Sequence, residues 1–204
     1  MAIDLPRYAQ IKDKYCIAYL GLAEEYLIQL KLLRTLFEKE FPGISIYICT
    51  KDNVSILDSE ERVIKYKELK ETKDFFAFVR EINYKTDNIH PVEELAIESG
   101  INNMKIPIKY KAKGSKCVIY PNGNYPTKNI NEKQIKTILN MARKAGYETE
   151  INGNLETAGW VIGVENRFIW EAAALGIKTT LIETGIGTNL YRKMFPQNEV
   201  ISSI

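Results

Sequence analysis

The sequence predicts an α/β protein made of two small Rossmann-like halves whose parallel sheets face a cleft. Two observations carry this. Strand-helix-strand patterns occur twice, once before residue 50 and once after residue 116, and a lysine-rich stretch with proline and glycine, "KIPIKYKAKGSK" (105–116), lies between them. Such units favour parallel sheets with right-handed crossovers. The halves are expected at 1–110 and 111–204. The length of 204 residues suits one ordinary domain or two small ones and is enough to bury a core. Ligands of such sheets sit beyond the carboxyl ends of the strands. That places the loops after Leu20, Tyr120, Val164 and Glu183 at one cleft.

The first half opens with "YCIAYLG", a short apolar run ending in glycine, which reads as a buried strand. In the stretch that follows, Tyr26, Leu30, Leu33, Phe37 and Phe41 recur at helical spacing, and Pro42-Gly43 stops the helix. "ISIYICT" (44–50) is rich in β-branched residues and reads as a second strand. "NVSILD" and "RVIKYKEL" fit short strands or a strand and loop, and "TKDFFAFVREI" (72–82) fits a helix or a strand. "HPVEELAIESGI" has proline in a first turn, Glu93 and Glu94 near the positive helix end, and Gly100 past the other end, so it reads as a helix. His90 is then a loop or capping residue, with catalysis as the alternative role.

In the second half, "KCVIYPNG" is a strand and turn. Residues 131–146 form an amphipathic helix with Ile135, Ile138, Leu139 and Ala142 on one face, Asn131 as cap and Gly146 as stop. "YETEING" and "GWVIGV" are strands. A helix from about Asn166 to Leu175 follows, then the strand "KTTLIETG" and a last short helix in "NLYRKMFP".

The bulk numbers exclude several classes. The net charge is +2, too small to argue for nucleic acid or an anionic membrane surface. Hydrophobic residues make up 45% and charged residues 26%, the balance of a soluble globular chain. No apolar run approaches the roughly 20 residues needed to span a bilayer, and the N-terminus has no apolar signal-like region. A cytoplasmic protein is therefore expected, with peripheral membrane contact left open. Cys16, Cys49 and Cys117 are isolated and odd in number, so they read as small buried hydrophobes in a reducing compartment. A single histidine rules out a multi-histidine metal cluster.

Several motifs allow both a packing and a chemical role. Glu24 and Glu25 stand where the first strand meets its helix. They stabilise the positive helix end, or one of them serves as a general base. Lys128, in the turn of "YPNGNYPTKN", neutralises a diphosphate or is one solvated lysine among many. Glu165, Asn166 and Arg167 follow a buried strand and suggest either a packed turn or a sugar-nucleotide pocket. Glu171 is a favourable charge early in an alanine-rich helix, or a carboxylate accepting hydrogen bonds from two ribose hydroxyls. Gly185, Gly187 and Thr188, in "ETGIGTN", form an ordinary turn or a backbone cradle for phosphate.

Taken in order, these stretches resemble the heptosyltransferase-like (family 9) glycosyltransferases, which have the GT-B fold. "LGLAEEYLIQLKLLRTLFEKEFPGISIYI" is similar to that family's opening strand, L-G-x-x-G-D, long helix, F-P and second strand. "HPVEELAIESGI" with "IPIK" resembles the end of its N-terminal domain. "VIYPNGNYPTKN" resembles its strand-P-G turn with a following lysine. "VIGVENRFIWEAAALGIKTTLIETG" resembles its acidic turn, alanine-rich helix and next strand. The resemblance puts the acceptor-activating acid on Glu25, the phosphate-binding lysine on Lys128 and the acid of the acidic turn on Glu165. Glu171 fits the E-A pattern of GT-B transferases, where the glutamate holds the donor ribose. The chain departs from the pattern at Glu24 (glycine in the family), at Asn166 and Arg167 (threonine and a small residue), at Trp170 (histidine), and in its shorter length.

The resemblance implies a transferase that moves a sugar from a nucleotide-diphosphate donor to a hydroxyl of a glycan or lipid-linked acceptor. Glu25 is the expected base. Lys128, Arg167, Gly185, Gly187 and Thr188 would offset charge on the leaving diphosphate, with Glu165, Asn166 and Glu171 completing the donor site. No metal and no cofactor are expected, because there is no D-x-D-like pair and cationic side chains suffice. The alternative is a non-catalytic, reduced GT-B scaffold that binds a nucleotide, glycan or protein partner. A GT-B-shaped epimerase is a third reading.

Overall fold

The computed structural model describes residues 14–19, 24–50, 63–65, 78–82, 90–108, 114–123, 128–183 and 187–202. The chain divides into two compact units, Met1–Met104 and Lys105–Ile204.

Among the described residues, the N-terminal unit runs β1 (Lys14–Tyr19), α1 (Glu24–Glu40), β2 (Ser45–Thr50), β3 (Val63–Lys65), β4 (Phe78–Ile82) and α2 (Pro91–Glu98). The sheet order is β3-β2-β1-β4, and every pairing is parallel. The ambiguous stretch 72–82 resolves into a strand at its end, where Tyr15 to Tyr19 of β1 pair with Phe78 to Ile82. A short apolar run carries no decisive period of its own, and a neighbouring strand settles it. Residues 53–58 lie outside the described ones. The apolar spacing of α1 is realised: Tyr26, Leu30, Leu33 and Phe37 are all buried. The burial extends further than one face, because Glu25 to Leu30 are buried without exception. α1 packs on β2 and α2.

The C-terminal unit runs β5 (Lys116–Tyr120), α3 (Glu132–Lys144), β6 (Glu148–Ile151), a 3₁₀ turn (Leu155–Thr157), β7 (Ala158–Val164), α4 (Arg167–Ala174), β8 (Lys178–Ile182), α5 (Gly187–Met194) and β9 (Glu199–Ile201). Its order is β6-β5-β7-β8-β9, again wholly parallel. The core between α3 and the sheet contains Cys117, Ile119, Ile138, Ala142, Trp160, Ile162 and Val164. α3 starts in a reciprocal capping box, where Asn131 Oδ1 accepts from Gln134 N and the Gln134 side chain accepts from Asn131 N. It ends at Gly146, whose φ of 85° only glycine adopts cheaply. There Gly146 N donates to Arg143 O and Tyr147 N to Ala142 O, the paired bonds of a Schellman end. Gly176 closes α4 in the same way, through Gly176 N to Ala173 O and Ile177 N to Ala172 O.

Each sheet changes direction once. In the first, the chain steps outward from β1 through β2 to β3 and then returns to the other side of β1 as β4. In the second, it steps from β5 to β6 and returns on the far side of β5 as β7. Open α/β sheets bind ligands outside the strand carboxyl ends at such switch points.

Candidate functional site

The switch point of the C-terminal unit lies between β5 and β7. Its two loops are Pro121 to Lys128 and Glu165 to Asn166, and side chains tie them together. The Lys128 Nζ to Glu165 Oε2 distance is 2.7 Å, with the lysine side chain 19% and the glutamate 4% exposed. Asn166 Nδ2 donates to the Asn122 carbonyl at 3.0 Å. The same side chain caps α4, its Oδ1 accepting from Phe168 N at 3.0 Å and Ile169 N at 3.2 Å. The β5 loop is held from within by Gly123 N to Asn129 Oδ1 and Ile130 N to Pro121 O, each 3.0 Å.

Gly123 makes the lysine's course possible. A Cβ at that position would stand 2.7 Å from Lys128 Cβ and 3.4 Å from Glu165 O, so any side chain would push the lysine off the turn. A partly buried ion pair of this kind loses hydration on both partners, and removing one partner leaves the other uncompensated.

The Tyr120 ring at the end of β5 and the Phe168 ring in the first turn of α4 stack nearly parallel, with centroids 4.4 Å apart and 5° between their planes. The Arg167 guanidinium lies 4.6 Å from the Phe168 centroid. The Tyr120 hydroxyl donates to Gly153 O. Burial, then the carboxylates of Glu171 and Glu150, push that hydroxyl up to about 12, against the opposing field of Arg167. Glu171, half-buried on α4, is thus close enough to be felt at the end of β5.

Lys128, Glu165, Asn166 and Arg167 come together here, and Glu171 is joined to them through its field at Tyr120. Gly187 and Thr188 open α5, the helix that follows β8, and β8 runs parallel beside β7. Thr188 is fully buried, and its Oγ1 has no hydrogen-bond partner among the described residues. Gly185 lies outside the described residues. Sequence reasoning missed Gly123, Asn122 and the Tyr120–Phe168 stack. The glycine after a strand-P-N turn was the one available signal.

In the N-terminal unit, Glu25 sits in the first turn of α1 and is 2% exposed. Tyr26, beside it, stacks on His90 with centroids 4.7 Å apart. His90 is the N-cap of α2, its Nδ1 accepting from Val92 N at 3.3 Å. Gln29, one turn after Glu25, is fully buried, with neither amide atom hydrogen-bonded among the described residues.

Among the described residues no three His, Cys, Asp or Glu side chains come together as a metal site. No described helix is long and apolar enough to cross a membrane.

No protein-family model matches the chain, and no curated protein matches it by sequence. Solved structures do match it. The dodecameric iron-containing glycosyltransferase TibC from enterotoxigenic E. coli aligns with a TM-score of 0.60 and 10% identity, over 84% of this chain and 58% of TibC. TibC in complex with ADP-D-beta-D-heptose gives 0.59 and 11% over the same shares. The E. coli heptosyltransferase WaaC with ADP aligns with 0.57 and 12% over 92% of each chain. The chain therefore has the α/β fold of these heptosyltransferases, extending over both units, and spans 58% of the length of TibC.

Proposed function

We propose that this protein is a glycosyltransferase that moves a sugar from a nucleotide-diphosphate donor to a hydroxyl of a glycan or lipid-linked acceptor, the acceptor being met in solution or at a membrane surface. The C-terminal unit holds the donor and the N-terminal unit serves the acceptor. One observation carries this reading. In a chain with a heptosyltransferase fold, the switch point of the C-terminal unit is bridged by Lys128 and Glu165, with Asn166 and Arg167 at the next helix start. A lysine there offsets charge that develops on a leaving diphosphate. Glu171 accepts from the ribose hydroxyls, and the first-turn N–H groups of α5, from Gly187 and Thr188, supply further donors without intrahelical partners. Glu25 accepts the proton of the acceptor hydroxyl as the new glycosidic bond forms and the bond to the diphosphate breaks. The chemistry asks nothing of a metal or cofactor.

A second reading is a scaffold that binds donor or glycan without transfer. It is favoured by the closure of the α4 N-terminus with the chain's own Asn166 and of Lys128 with its own Glu165.

One experiment separates the two. Purified protein is given a panel of nucleotide sugars headed by ADP-heptoses, since WaaC and TibC were solved with ADP and ADP-heptose. Donor hydrolysis and transfer are followed. Glu25→Gln should keep nucleotide binding and lower turnover by roughly a hundredfold or more, whereas Glu24→Gln should change little. Equal turnover by wild type and Glu25→Gln removes the base assignment. Nucleotide binding without turnover across the panel makes the scaffold the better reading.

A further inference from the structure

The Lys128–Glu165 pair raises a question about how a donor enters, and the answer rests on the diphosphate-site reading above. We propose that Glu165 is an intramolecular competitor for the phosphate: its carboxylate holds the Lys128 ammonium and must be displaced by an incoming diphosphate. The 2.7 Å contact shows one donor of the ammonium taken by a carboxylate oxygen. The two partners differ in access. Glu165 is 4% exposed and Lys128 19%, so the lysine is the partner more open to a ligand arriving from solvent.

Two neighbouring polar groups at this turn have contacts of their own. The Asn166 carboxamide takes the Phe168 and Ile169 N–H groups that open α4. The Arg167 guanidinium lies over the Phe168 ring. Gly123 leaves the space that lets Lys128 lie across the turn to reach Glu165. An anion reaching Lys128 therefore meets a cation already paired with a buried carboxylate, and that carboxylate repels it. A diphosphate brings several negative charges and enough oxygens to replace the carboxylate on the ammonium. Orthophosphate brings fewer, and a neutral sugar brings none. Glu165 thus sets how tightly a diphosphate binds.

The test is calorimetric titration of the full chain with inorganic pyrophosphate and with orthophosphate. It uses wild type, Glu165→Gln, Lys128→Gln and the double variant, each checked for folding by its denaturant midpoint. Glutamine keeps an acceptor oxygen for the lysine and removes the charge. Removing a like charge from beside the anion should tighten pyrophosphate binding by roughly tenfold, and orthophosphate, which carries less charge, should gain less. Lys128→Gln should abolish the gain in the double variant. If Glu165→Gln binds pyrophosphate equally or more weakly while Lys128→Gln still weakens it, the competitor role is overturned and the diphosphate site stands. If pyrophosphate binds neither wild type nor Glu165→Gln, or binds both without regard to Lys128, the diphosphate site falls and the competitor role falls with it.

Discussion

In the N-terminal unit, the helices that follow β1 and β4 meet through rings: Tyr26 in the first turn of α1 stacks on His90, the cap of α2. In the C-terminal unit, the loops that follow β5 and β7 meet through an ion pair and an amide: Lys128 with Glu165, and Asn166 with the Asn122 carbonyl. Both bridges span the point where the sheet changes direction. A ring stack holds by contact area and is indifferent to the exact donor and acceptor. An ion pair and an amide hold by direction and charge, and each of their atoms has a counterpart that a ligand oxygen can replace. The difference is the reason the donor site is proposed at the second bridge. A phosphate can exchange with a carboxylate on Lys128, whereas it has no counterpart in the Tyr26–His90 stack.

The strongest way to break this comparison is Asn166→Ala. The substitution removes two bonds that cap α4 and the bond to the Asn122 carbonyl. We expect a stability loss of about 2–3 kcal/mol. Both tryptophans, Trp160 and Trp170, belong to the C-terminal unit, so fluorescence during urea unfolding reports on it. Asn166→Asp keeps the cap oxygen but loses the donor to Asn122 and sets a carboxylate beside Glu165, so its midpoint should fall between those of wild type and Asn166→Ala. Equal midpoints for the two variants would put the whole effect on the Asn122 bond. An unchanged midpoint for Asn166→Ala would mean the amide bridge holds nothing.

The ring bridge is probed by His90→Asn. Asparagine is a favoured cap and can accept from Val92 N, so the start of α2 survives while the stack on Tyr26 is lost. The cost should be about 1 kcal/mol, seen as faster amide hydrogen exchange across Pro91–Glu98. His90→Ala loses cap and ring and should exchange faster still. If His90→Asn exchanges like wild type, the cap alone matters and the unit has no ring bridge.

Local signals were legible in the sequence, and long-range ones were not. Asn131 with Gln134, Pro91 in a first turn, and the stops at Gly146 and Gly176 act within one helical turn, and each forms as its residue type dictates. The strand at 78–82 was ambiguous because its identity comes from pairing with β1, more than 50 residues earlier. The same holds for the site. The sequence offered Lys128, Glu165, Asn166 and Arg167 as separate donor contacts, the first two from the family resemblance and the last two where the chain departs from it. That Lys128 bonds Glu165, 37 positions on, and that Asn166 ties back to Asn122 across 44, depends on the strand order β5-β7, which no local pattern encodes. The full burial of Thr188 and Gln29 was equally invisible, since a hydroxyl at a helix start reads as a cap and an amide within a helix reads as solvent-facing. Cys49 and Cys117 were read as buried hydrophobes and are buried.

The finest test of the comparison is alkaline pH, because the C-terminal unit also joins β5 to α4 through a titratable ring. Tyr120 stacks under Phe168, and its hydroxyl is raised from 10.0 to about 12 by burial and then by Glu171 and Glu150. Cys117, on the same strand, is raised from 9.0 to about 12 by burial, with Lys178 opposing. For both groups the folded chain holds its proton more tightly than the unfolded one. The stability this contributes is therefore complete below the unfolded value and is lost as pH rises toward the folded value. The urea midpoint of the C-terminal unit should begin to fall near pH 9 as Cys117 comes into play, and should fall faster between 10 and 12 as Tyr120 joins it. Tyr120→Phe keeps the ring on Phe168 but removes the ionising hydroxyl and its bond to Gly153 O. Its midpoint should start lower at neutral pH, by about 1 kcal/mol of stability, keep the decline from pH 9 to 10, and then descend less steeply than wild type. Parallel descent of wild type and Tyr120→Phe above pH 10 would remove Tyr120 as the source and leave the C-terminal bridge as insensitive to alkali as a bare stack of rings.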